Sequence, residues 1–88
     1  EFDATAIAEL MSSLGEGSAE NKDDLKVISG VGPKFEETMN RIGIFSYEQL
    51  SKMTKKEYDL LDSLTKKFPG RAERDDWAGQ AKTLIENR

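Results

Sequence analysis

The residues of this chain that could do chemistry are few. It contains neither Cys nor His. That excludes thiolate nucleophiles, a disulfide framework, thiolate metal sites and imidazole bases or ligands. Carboxylates remain as the only metal-ligand or acid–base groups, and they come as adjacent pairs: Asp23/Asp24, Glu36/Glu37 and Asp75/Asp76. Sequence neighbours diverge on a helix, and none of these acids has a nucleophile or base to work with. The expectation is a protein that is not an enzyme and needs no cofactor and no metal.

Backbone and cations are left. Ile28-Ser29-Gly30-Val31-Gly32-Pro33-Lys34 reads as an apolar helix end, a turn with two glycines, and a proline opening a new helix. Pro33 suits the first helical position, where its missing N–H costs nothing and its φ is already helical. Val31, held between glycines, is expected to plug back into the core. Unpaired N–H groups at a helix start, with the helix dipole, favour an anion. The amides of Gly30, Gly32 and Lys34 and the Lys34 ammonium would then face a phosphate; the competing reading is a plain interhelical turn. Gly32 is expected to have φ > 0, so that Gly32→Val would be strained. Leu64-Thr65-Lys66-Lys67-Phe68-Pro69-Gly70-Arg71 runs in parallel, as a degraded second hairpin with one glycine missing. It adds Lys66, Lys67, Gly70, Arg71 and Arg74 as candidates on the Lys34 side, although the interleaved Glu73, Asp75 and Asp76 could equally pair with them.

The residues Leu25, Ile28, Gly30, Val31, Gly32, Pro33, Lys34, Phe35 and Ile42 match the apolar-x-Gly-apolar-Gly pattern of the helix-hairpin-helix family, which this chain resembles. The run LKVISGVGPKFEETMNRIGIFSYEQLSKMT, with PGRAERDDWAGQAKTLI later, is similar to small domains appended to the ends of bacterial proteins such as a ribosomal protein or a respiratory-complex subunit. The resemblance implies an all-α, SAM-like bundle with tandem helix-hairpin-helix-like halves. It also implies a cytoplasmic module that holds DNA or RNA backbones without reading sequence. The family's hairpin is also retained in domains that bind only proteins, so an assembly module stands as the alternative.

The elements that must position these groups follow from patterning. Eighty-eight residues allow one small domain, which buries only ~60–65% of its unfolded surface. The apolar runs fall far short of the ~20 residues that span a bilayer. The missing initiator Met predicts a piece of a longer protein, with Glu1-Phe2 foreign to it. The net charge of −4 hides an asymmetry: residues 1–20 carry five acids and no base, leaving +1 on the rest. Within residues 52–74, seven bases oppose four acids, a basic sector well short of a strongly basic footprint.

Asp3 is expected to cap a helix over Ala4–Leu14 with Ala4, Ile7, Leu10, Met11 and Leu14 on one stripe. That helix would pack on the domain, continue an upstream coiled coil, or dock in a partner's groove. Gly15 to Lys22 reads as a flexible linker, dividing the chain into an acidic helix plus linker over 1–22 and the helix-hairpin-helix domain over 23–88. A chain starting at Asp23 should then keep a cooperative fold. Within that domain five short helices are expected: Leu25–Ile28 capped by Asp23 or Asp24, Pro33–Ile42 stopped by Gly43, Ser46–Lys52, Lys55–Leu64 and Ala72–Glu86. Ser46 with Gln49 and Thr54 with Glu57 form capping boxes. Leu50, Met53, Tyr58, Leu61 and Leu64 are expected in the core. Trp77 is expected to anchor the last helix against the first hairpin, with Asp75 and Asp76 in that helix's first turn.

Overall fold

A computed structural model describes residues 2–67 and 69–88; Glu1 and Phe68, the latter inside the second hairpin stretch, lie outside the described residues. Among the described residues all regular structure is helical. The helices are α1 (Ala4–Leu14), α2 (Pro33–Ile42), α3 (Tyr47–Ser51), α4 (Lys55–Thr65), α5 (Arg71–Arg74) and α6 (Trp77–Glu86), with 3-10 turns at Ala19–Asn21 and Leu25–Val27.

The caps follow from residue chemistry. Asp3 accepts from the N–H groups of Thr5 and Ala6 and starts α1. Asp24, not Asp23, caps the 25–27 turn by accepting from Lys26 N. Asp23 instead reaches across the chain, accepting from Tyr47 N at 2.8 Å at the start of α3. Both capping boxes are present, and Gly43 closes α2 with φ 118°.

One apolar cluster runs through every layer. Leu25, Ile28, Val31, Met39, Ile42, Ile44, Leu50, Met53, Tyr58, Leu61, Leu64 and Trp77 are all buried in it; Val31, Leu50, Met53, Tyr58, Leu61, Leu64 and Trp77 are where patterning puts them. Trp77 is fully buried and meets Phe35 edge-on, with ring centroids 5.3 Å apart at 87°, a favoured aromatic geometry. Leu10 and Leu14 of α1 are also at 0% exposure in the same cluster, so the core is shared across the boundary expected at Asp23. Glu9 approaches Lys56 of α4 at 3.8 Å. The C-terminal carbonyls of α1 are met by α3 and the residue after it: Gln49 Nε2 donates to Gly15 O at 2.8 Å and Lys52 Nζ to Leu14 O at 3.3 Å.

Three local expectations are corrected. The stretch Leu25–Ile28 is a single 3-10 turn, too short for an α-helix. The expected last helix, Ala72–Glu86, is two helices broken at Asp75-Asp76. Asp76 has φ 50°, and its side chain accepts from Gly79 N as the cap of α6. An Asx cap competes with continued helix by satisfying an N–H that the helix would leave orphaned. The third concerns Gly32, which has φ −97° and ψ 178°. That is extended backbone, as expected before a proline, and no heavy atom lies within 4 Å of a Cβ placed there. The strained glycine of the hairpin is Gly30.

Candidate functional site

The first hairpin is built around Gly30, at φ 100°. A Cβ there would run into the Asp75 carboxylate and come within 2.9 Å of Trp77 Nε1. Glycine is therefore required twice, by the left-handed backbone and by the close approach of the α5–α6 corner. Gln80 of α6 clamps the same turn. Its Oε1 accepts from Ser29 N at 2.9 Å, and its Nε2 donates to Ser29 O at 3.2 Å and to Asp75 O at 2.7 Å. Val31 is buried at 6% exposure, and its N–H is used by Ile28 O.

Beyond this corner α2 begins. Gly32 O accepts from Glu36 N, whereas the N–H groups of Gly30, Gly32 and Lys34 meet no acceptor among the described residues. Glu36 has a structural task that sequence reasoning missed. Its carboxylate accepts from Leu25 N at 3.0 Å and from Lys26 Nζ at 3.3 Å, holding the 25–27 turn against α2.

The two hairpins converge at one cleft of about 320 Å³, lined by Lys34, Phe35 and Thr38 of α2 and by Thr65 and Lys67 at the end of α4. Of the cations expected on the Lys34 side, Lys67 shares its cleft. Lys66 is not with them: it takes φ 54° as the C-cap of α4 and lines a different hollow with Asp3, Ser63 and Leu64. Gly70 has its N–H tied to Asp62 Oδ2 at 2.9 Å and so offers no free amide. Arg71 is half-buried. Arg74 is exposed, with its Nε 3.6 Å from Asp75 Oδ1.

Charge pairing thins the basic sector further. Lys55 lies between Asp59 at 3.3 Å and Glu73 at 3.2 Å, Lys56 faces Glu9 and Lys52 is spent on α1. Lys34 and Lys67 have no ion-pair partner among the described residues. No group of three or more acids among the described residues is placed to hold a metal ion. No helix among them is long and apolar enough to cross a membrane.

Two hairpins folded over a common apolar core define an all-α helix-hairpin-helix module. The chain belongs to the RS2/RL21/YNQ2 HHH domain family, whose model matches residues 25–85. It is 40% identical over 77 residues to the large ribosomal subunit protein bL21 of Jannaschia sp. (strain CCS1), covering 88% of this chain and 28% of that protein. It is 39% identical over 66 residues to an uncharacterized 22.9 kDa protein in the nqo2 3′ region of Paracoccus denitrificans, covering 75% of this chain and 31% of that protein. The small ribosomal subunit protein uS2 of Beijerinckia indica is 43% identical over 63 residues, 72% of this chain and 18% of its own length. The chain therefore spans less than a third of the length of these curated relatives. No solved structure matches it.

Proposed function

We propose that this is a non-catalytic module, working in the cytoplasm, that holds a nucleic-acid backbone without sequence preference and so places a larger parent protein on it. The observation that supports this reading is the convergence of Lys34 and Lys67, neither of them ion-paired, beside the open amides of α2. Two cations and a helix start on one face offer a phosphate both charge and directed N–H donors. The ribosomal names of two relatives agree with an RNA partner.

Binding of this kind is nonspecific and falls in the range of ~10⁻⁴–10⁻⁶ M at physiological salt. Fluorescence titration of the chain against a short duplex at low salt should show saturable binding. Lys34→Glu should weaken every duplex alike, because phosphate contacts position without specifying. No binding at low salt would sink the reading.

A second reading, a protein-assembly module, draws on a particular observation. The Asp75 carboxylate sits against Gly30, where it repels an anion approaching the turn itself. On that reading α1 or the hairpin face meets a protein, and the low-salt titration stays flat.

A further inference from the structure

The cleft between the hairpins holds more than cations. Its apolar wall is Phe35, and Thr65 also lines it. Thr65 is 9% exposed, and its Oγ1 is a buried oxygen with no hydrogen-bond partner. Buried hydroxyls are normally satisfied, so this orphan, enclosed in the wall of the cleft, calls for an explanation. Thr38 is already accounted for, since its Oγ1 donates to Lys34 O at 3.1 Å. At about 320 Å³ the cleft lies at the lower end of the ~300–1,000 Å³ typical of small-ligand sites.

We propose that this cleft seats one unpaired nucleotide of a single strand. The base would lie against the Phe35 ring, the Thr65 hydroxyl would turn out of the cleft wall to meet its polar edge, and its phosphate would sit by Lys34 and Lys67. The inference rests on the backbone-binding reading above and sharpens it. A duplex can offer only phosphates to this face, whereas an unpaired base also fills the apolar volume. Base–aromatic contact is tolerant of base identity because every base has a π-face, so the preference is for strandedness, not sequence. A hydroxyl both donates and accepts and so can meet either kind of base edge.

The test uses the whole chain, a labelled 12-nucleotide single strand and the duplex made from it, followed by anisotropy at low salt. The single strand should bind about tenfold more tightly than the duplex. Thr65→Val keeps the side-chain shape and removes the orphan hydroxyl, so its melting temperature should equal or exceed that of the wild type. It should bind the single strand about fivefold more weakly and the duplex unchanged. Equal binding of both strand forms, untouched by Thr65→Val, would overturn the cleft assignment and leave the backbone reading in place. Absence of binding to either would remove both. Preferential capture of a Glu- and Phe-rich peptide, displacing the oligonucleotide, would overturn the nucleotide assignment in favour of an acidic peptide.

Discussion

At the scale of single residues, the hairpin turns on Gly30, and the two glycines of the motif are not equivalent. Gly30→Ala forces a Cβ into the space of Asp75 and Trp77 at φ 100°, a strain on the order of 1–3 kcal/mol. For a domain this small each kcal/mol lowers Tm by ~4–8 °C. Gly32→Ala, on extended backbone with open space, should melt within a degree or two of the wild type. Thermal denaturation of the two variants side by side decides it; equal losses would mean the turn is not built on Gly30. Glu57 supplies a second test. Burial pushes its carboxyl up, but hydrogen bonds from the Thr54 hydroxyl and N–H, with a further one from Ser13, outweigh that and hold it below the ordinary glutamate value. A carboxyl depressed in the folded state contributes stability that is present above its unfolded value, ~4.3. That contribution is lost as pH falls through the folded one. Urea midpoints should therefore drop between about pH 5 and pH 3, and more steeply for the wild type than for Glu57→Gln. Parallel profiles would show that the Thr54–Glu57 cap does not couple to folding.

At the scale of elements, α1 is the informative one. It lies outside residues 25–85, the stretch matched by the family model, yet it contributes two fully buried leucines and is tied at its C-terminus by Gln49 and Lys52. Gln49 is itself 3% exposed, and its amide is used in full. The oxygen accepts from Phe45 N and Ser46 N, and the nitrogen donates to Gly15 O and Gly43 O. Losing α1 would open the leucine sites and strip one partner from a buried amide. Each buried Leu is worth ~2–5 kcal/mol by truncation, against ~0.05–0.15 kcal/mol per residue for a whole domain. Removing residues 1–22 is therefore expected to abolish the cooperative thermal transition or lower its midpoint by more than ~20 °C. A chain from Asp23 that melts like the full one would support a domain boundary there and make α1 an added layer only.

At the scale of the whole molecule, net charge is a poor guide to where an anion could bind. The acids of the first 20 residues do not stand apart: Glu9 faces Lys56, and Asp3 shares a hollow with Lys66. The exposed Glu9–Lys56 pair contributes ~0–1 kcal/mol to stability, yet it neutralises a cation that a linear count would credit to binding. Counting Lys34, Lys66, Lys67 and Arg71 alike gives up to four phosphates and a slope between about −3 and −4 for log K against log salt. With only Lys34 and Lys67 on the cleft, the slope on duplex DNA should be about −2. A slope of −3 or steeper, measured by titration from low to physiological salt, would show that Lys66 or the arginines swing round to join the contact.

Much of this protein is legible in its sequence because the signals are local. Pro33 at a helix start, Gly43 past a helix end, the Ser46 and Thr54 boxes and the spacing of Leu50, Met53, Tyr58, Leu61 and Leu64 each depend on neighbours within a few residues. Each appears in the fold where local geometry requires it. The family resemblance rests on the same local hairpin and is matched by the family model. What failed depended on partners distant along the chain. Which glycine needs φ > 0 was set by Asp75 and Trp77 closing on Gly30. Asp76 breaks the last helix because the chain must turn there to bring Trp77 under the hairpin. Lys66 and Lys67 are adjacent in sequence but line different hollows, because α4 ends at Thr65 and Lys66 takes the left-handed cap conformation just past it. A residue's type and its near neighbours determine which element it starts, continues or stops; only tertiary packing decides which charges are spent inside the fold and which are left for a ligand.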